Sequence, residues 1–241
     1  MASIEVSEER GVRYLHFGSE LVQGAMRIAR PWALELVYTR EMMLPLVLRD
    51  DASFPSSVLQ IGLGTGSVTK FLHRYRPHTR VTVVEIDPRV VETAREFFKL
   101  PDENERLRIV IGEGYEFVAS SRGRFDLIVV DGFDEKGRTG SLDTLSFYAA
   151  AHARLTRQGM VSANLLTRRR GPAASEERMR QVFGDHVLIL PPPESGNTVA
   201  VMGIERPRAA SMDELHRRAA ALRAETGLNL SPTLARLAQA T

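Results

Sequence analysis

The stretch Gly62-Leu63-Gly64-Thr65-Gly66 follows the apolar run Val58-Leu59-Gln60-Ile61 and precedes a helical pattern over Ser67 to Tyr75. A glycine-rich turn between a strand and a helix constrains this chain more than any other feature. Glycine allows a sharp backbone reversal and lets a ligand approach the main chain closely. Such a turn sits at the carboxyl edge of a parallel sheet, where open α/β sheets bind ligands.

The residues after this turn keep the same rhythm. Val81 to Glu85 reads as a strand and Pro88 to Phe98 as a helix. Further strands are expected at Leu107 to Ile111, Leu127 to Val130 and Met160 to Leu165, with helices at Tyr115 to Ala119 and Ser141 to Leu155. Alternation of this kind specifies a Rossmann-like α/β domain, a mainly parallel sheet covered on both faces. A helix over Glu176 to Phe183 leads to Val187–Leu190 and Thr198–Met202, spaced as an antiparallel edge pair. Upstream, Val12 to Phe17 and Leu21 to Met26 form a small β-hairpin, followed by a helix from Trp32 to Leu48 that Pro45 should kink or end. Downstream, Ser211 to Ala224 is an amphipathic helix and the remainder a loosely held tail. The expected organisation is residues 1–52 as hairpin and helix, 53–205 as the Rossmann-like domain, and 206–241 as a helical tail.

Acidic residues stand at the strand ends. Glu85, nineteen residues after Gly66 and followed by Ile86, can accept hydrogen bonds from both hydroxyls of a ribose. Glu113, beside Gly114, is placed to meet an adenine amino group, and Asp131 follows Val129-Val130. A dinucleotide is disfavoured because Ser67 occupies the third glycine position of the GxGxxG spacing. Together the glycine turn and the acids point to a nucleoside of the S-adenosyl type.

Composition excludes several alternatives. The 241 residues contain no cysteine, which removes disulfides, thiolate metal sites and cysteine nucleophiles and fits a cytoplasmic setting. A net charge of +2 gives no reason to expect a nucleic-acid partner. No apolar run approaches the ~20 residues of a membrane span, and the first residues lack a secretory pattern. The six histidines show no metal-ligand spacing, so no metal is expected. Arg168-Arg169-Arg170 reads as a solvated loop.

From about Val12 to Ile204 the residues resemble the spermidine synthase (polyamine aminopropyltransferase) family, especially a bacterial spermidine-synthase-like branch. Phe17-Gly18-Ser19, Val22 to Arg27, Glu35 to Met43 and Ser195 to Thr198 carry this resemblance. It implies the fold of S-adenosylmethionine-dependent methyltransferases and a transferase that moves an aminopropyl group from decarboxylated S-adenosylmethionine to a polyamine such as putrescine. Gln23 then matches a glutamine near the sulfur, Glu85 the ribose acid and Glu113 an adenine-contacting aspartate. Gly62, Gly64, Thr65 and Gly66 form the cofactor turn, joined by Ile86, Gly114 and Asp131. Asp131 and Asp134 match the Asp-x-x-Asp signature, the first helping to deprotonate the amine and the second holding an ammonium. Tyr38 would line the amine channel, with Glu35 and Glu41 as further candidates, although a solvated helix face is the simpler reading of Glu41. Family members are typically homodimers.

Two departures from the family matter, and its Tyr-x-Glu pattern is also not clean, because two residues separate Tyr38 from Glu41. Thr65 stands where the family has an aspartate, and Glu135 where it has a proline. An aspartate at residue 65 would attract the ammonium of the decarboxylated cofactor and repel the carboxylate of the intact one. Threonine does neither. An S-adenosylmethionine-dependent methyltransferase and a non-catalytic nucleoside-binding homologue are therefore the alternative readings.

Overall fold

A computed structural model describes residues 3–240 apart from 19–20, 52, 134–138, 167–171, 193–196 and 206–209. Asp134, Glu135, Arg168 to Arg170, Ser195 and Gly196 therefore lie outside the described residues. The chain opens with an antiparallel sheet of β1 (Ile4–Glu9), β2 (Val12–Phe17) and β3 (Val22–Arg27), in that order. The expected hairpin is present as β2 and β3. β1 escapes the sequence pattern because Ile4 and Val6 are its only apolar residues and most of the strand is exposed.

The expected helix over 32–48 is two short pieces, α1 (Val37–Glu41) and α2 (Pro45–Leu48). Proline lacks the N–H that would continue the ladder, and its ring clashes with the carbonyl four residues back. Here the chain tightens before it: Met43 N donates to Arg40 O at 3.1 Å and Leu44 N to Glu41 O at 2.9 Å. Pro45 then starts α2, a position where proline costs little.

The second sheet contains β4 (Ser57–Ile61), β5 (Arg80–Glu85), β6 (Leu107–Ile111), β7 (Phe125–Val130), β8 (Leu155–Leu166), β9 (Val187–Ile189) and β10 (Asn197–Gly203). Its order is β6-β5-β4-β7-β8-β10-β9. Every pair from β6 to β8 is parallel, whereas β10 runs antiparallel to both β8 and β9. Helices α3 (Ser67–Tyr75), α4 (Pro88–Phe98), α5 (Gly114–Ser120), α6 (Leu145–Ala153) and α7 (Ala173–Phe183) connect these strands, and a single 3-10 turn, Gly140–Asp143, precedes α6. This is the Rossmann-like α/β architecture expected from the alternating pattern.

Side chains alternate across the strands, so each face of the sheet has its own core. Val58, Val83 and Val129 pack on one face with α3, α4 and the chain's ends, whereas Leu59, Val84 and Ile128 pack on the other with α5 to α7. The loosely held tail expected after Ala224 is not what forms. α8 (Met212–Thr226) is followed by α9 (Ser231–Ala240), and Leu228, Leu230, Leu234 and Leu237 are buried in the first core. Burial of a leucine side chain contributes about 1.5–3 kcal/mol, enough to hold this segment in place.

Candidate active site

The sheet reverses its winding at β4, whose neighbours β5 and β7 lie on opposite sides of it. Register aligns the carboxyl ends there: Ile61 pairs with Val84 and Val130, and Glu85 with Ile111. The ladder extends one residue further, with Gly62 N donating to Val84 O at 2.9 Å and Asp131 N to Ile61 O at 2.8 Å. Strand pairing therefore brings residues from three segments of the chain to one edge.

Gly62 shows why the turn needs glycine. Its φ is +86°, and an added Cβ would stand 2.2 Å from the Asp131 carbonyl oxygen. No side chain fits there. The passage from β4 to α3 therefore closes directly against the end of β7.

A cavity of about 390 Å³ opens at this edge, within the size range of small-molecule sites. Glu85, Glu113 and Asp131 all line it, together with Gln23, Tyr38, Gly62, Gly64, Ile86 and Gly114. Among the described lining residues these three acids face no lysine, arginine or histidine. The N-terminal sheet supplies one wall through Phe17, Leu21 and Val22.

Each acid is held differently. Glu85 Oε2 accepts from Leu63 N at 2.8 Å and Oε1 from Asp87 N at 3.0 Å. Burial raises the Glu85 carboxyl above its ordinary range, with these amide hydrogen bonds opposing the shift. The Ile86 amide is a third backbone donor to this carboxylate, which leaves about one lone pair for a ligand. Glu113 caps α5 by accepting from Glu116 N at 2.7 Å, and takes the Ser141 hydroxyl at 2.6 Å. Burial raises this carboxyl too, but the bonds from Ser141 and the backbone outweigh it and the net shift is downward.

Asp131 is the most perturbed of the three. Burial pushes its carboxyl up to about 6, and the charge of Glu85 adds to the rise. Hydrogen bonds from Asn164 and Tyr38 oppose it. Asn164 Nδ2 donates to Asp131 Oδ1 at 2.8 Å, and Asn197 Nδ2 in turn donates to Asn164 Oδ1 at 3.0 Å. On the other side, burial and the Asp131 charge raise the Tyr38 hydroxyl well above its usual range, so it stays protonated.

Thr65 and Gly66 do not line the cavity. Thr65 is 2% exposed, its hydroxyl lies 2.8 Å from Ser67 Oγ, and its side chain packs against Gly24 of β3. The N-terminal sheet covers this side chain. Glu41 also differs from expectation. It lies on no solvated face but is fully buried, paired with Arg236 and with Thr233 Oγ1 at 3.4 Å, both from α9. Glu35 is outside the cavity and pairs with Arg27. Asn164 and Ser141 line the cavity without having stood out in the sequence, and Asn197 joins them from the stretch Ser195 to Thr198 that carried the resemblance without a role of its own. One signal was available, the amide of Asn164 in the largely apolar end of β8.

Comparison with known proteins agrees with this arrangement. Residues 35–183 match the spermine/spermidine synthase domain. A polyamine aminopropyltransferase from Chromobacterium violaceum is 35% identical over 239 residues, covering 99% of this chain and 90% of that protein. A spermidine synthase crystallised with the transition-state analogue AdoDATO shares 19% identity at a TM-score of 0.62, covering 93% of this chain and 88% of that one. Human methyltransferase-like protein 13 in complex with SAH superposes at 0.72 with 22% identity, covering 80% and 93% of the two chains. The sheet order, the glycine turn and the acids at the strand ends thus coincide with a match over most of the chain, which belongs to the spermine/spermidine synthase family.

Proposed function

We propose that this protein is a polyamine aminopropyltransferase that transfers the aminopropyl group of decarboxylated S-adenosylmethionine to an amine such as putrescine. One observation carries the reading: Asp131, braced by Asn164 and Tyr38, shares a single cavity with Glu85 and Glu113 and with no basic residue among those described. A cavity of that charge favours cationic ligands, and both proposed substrates are cations.

In the proposed step the lone pair of an amine nitrogen attacks the carbon next to the sulfonium. The carbon–sulfur bond breaks, its electron pair stays on sulfur, and neutral methylthioadenosine leaves. The nitrogen gains the aminopropyl carbon and gives up one proton. Asp131 is assigned as the base that takes it. An amine of pKa ~10 must lose a proton to react at neutral pH, and a carboxylate raised to about 6 accepts one more readily than an ordinary aspartate. Tyr38 and Asn164 orient this carboxylate, and Asp134 is assigned to the far ammonium. Glu85 would hold the ribose, Glu113 and Gly114 the adenine end, Ile86 the adenine face, and Gln23 the neighbourhood of the sulfur. Residues 62 to 66 are assigned to the nucleoside turn, with Thr65 acting only through its packing. The proposal includes a homodimer in the cytoplasm.

The likeness to a methyltransferase fold favours one alternative, transfer of a methyl group from intact S-adenosylmethionine. Incubating the pure protein with putrescine and each cofactor separates the two. The proposal expects methylthioadenosine from the decarboxylated cofactor. S-adenosylhomocysteine from the intact cofactor would support the alternative, and neither product would point to a binding protein without turnover.

A further inference from the structure

A second cavity, of about 460 Å³, lies between the end of β3, α1, α3 and the turn joining α8 to α9. It shares no lining residue with the candidate active site. Its size falls within the range of ligand-binding clefts, about 300–1,000 Å³. We propose that it binds a small organic phosphate of the nucleoside monophosphate kind.

The charge of its lining is the first argument. Arg27, Arg30 and Arg40 contribute three guanidinium groups, and Glu35 is the single described carboxylate among the lining residues. Glu35 is already engaged: Arg27 Nε donates to its Oε2 at 3.0 Å, and Arg27 Nη2 pairs with its other oxygen. Among the described residues the Arg40 side chain reaches the Glu35 main-chain oxygen, at 3.3 Å from Nη2. Its Nε is buried and has no hydrogen-bond partner among the described residues. Arg30 is exposed at the rim, with no carboxylate partner among the described residues. Among the described residues, neither Arg30 nor Arg40 has a carboxylate partner in this hollow. A planar guanidinium matches a phosphate with two parallel hydrogen bonds, and such charge-assisted bonds are about twice as strong as neutral ones.

The second argument is the shape of the remaining wall. Trp32 and Tyr75 line the same cavity. An aromatic face beside a guanidinium suits a flat base attached to the phosphate, and the volume exceeds what a bare inorganic anion would fill.

Trp32 is the only tryptophan in the chain, so its fluorescence reports on this cavity directly. The full-length protein is titrated with AMP at constant ionic strength, with methylthioadenosine present in excess to occupy the other cavity. A saturable change in Trp32 emission is expected, with a Kd of about 1 mM or tighter. Arg40→Ala and Arg30→Ala should each weaken binding by about tenfold, the loss of one charge-assisted pair. Arg30 is exposed, so its replacement keeps the test valid should Arg40→Ala melt early. Adenosine and citrate, tested in parallel, should bind much more weakly. Absence of a saturable response to AMP overturns the proposal, as does a response unchanged in Arg30→Ala or one matched by adenosine or citrate.

Discussion

Asn164 holds Asp131 through a 2.8 Å hydrogen bond that crosses from β8 to the end of β7. The bond stabilises the charged carboxylate and so lowers its pKa against the larger effect of burial. Replacing Asn164 by alanine removes a donor to the ionised form, and the Asp131 pKa must then rise. A base works only when deprotonated, so turnover of the native protein should fall as pH drops through about 6. In Asn164→Ala this acid limb should move to higher pH. A kcat/KM profile against pH reads the change, and an unmoved limb would separate Asn164 from the titration.

Glu85 holds the backbone of the glycine turn, and in the proposed function it offers its remaining lone pair to the nucleoside. Glu85→Gln keeps the shape but loses the charge and one acceptor. A hydrogen bond to a charged group contributes about 1.5–3 kcal/mol, so methylthioadenosine binding should weaken by roughly 10- to 100-fold. Calorimetry measures this. Unchanged affinity would remove Glu85 from the ribose site.

The pair of Glu41 and Arg236 joins α1 to α9, and α1 also carries Tyr38. Arg236→Ala leaves a carboxylate buried without its cation, which typically costs about 3–5 kcal/mol. Thermal melting should show the loss, and restoring the cation with Arg236→Lys should recover part of it. A melting temperature equal to the native one in Arg236→Ala would show that the pair contributes little.

Thr65 sits under β3, with the position of a Cβ on Gly24 only 2.6 Å from its Cγ2. Thr65→Asp therefore places a charge in a packed interface and should destabilise the protein by about 1–3 kcal/mol. The ratio of kcat/KM for the two cofactors should stay near the native value. A stable variant with a strong new preference for the decarboxylated cofactor would mean that residue 65 faces the ligand.

These four residues also mark how far the sequence could be read. The glycine turn and Glu85 follow local rules, since strand, turn and helix lie within a few residues, and parallel register then fixes Asp131 beside them. The burial of Thr65 depends on β3, some forty residues earlier, and no local pattern reports which side chain that sheet covers. Asn197 reaches Asn164 through the antiparallel pairing of β10 with β8, so its place becomes visible only once that register is known. α9 read as a loose tail because its anchor, Glu41, is 195 positions from Arg236. A charged residue on a short helix looks solvated until its partner is found.

The most direct test of the account is Asp131→Asn, assayed for methylthioadenosine release with putrescine and for nucleoside affinity by calorimetry. Loss of a positioned base lowers turnover by about 10²- to 10⁴-fold, and the account predicts that drop with nucleoside affinity within a few-fold of native. Native turnover in Asp131→Asn would contradict it.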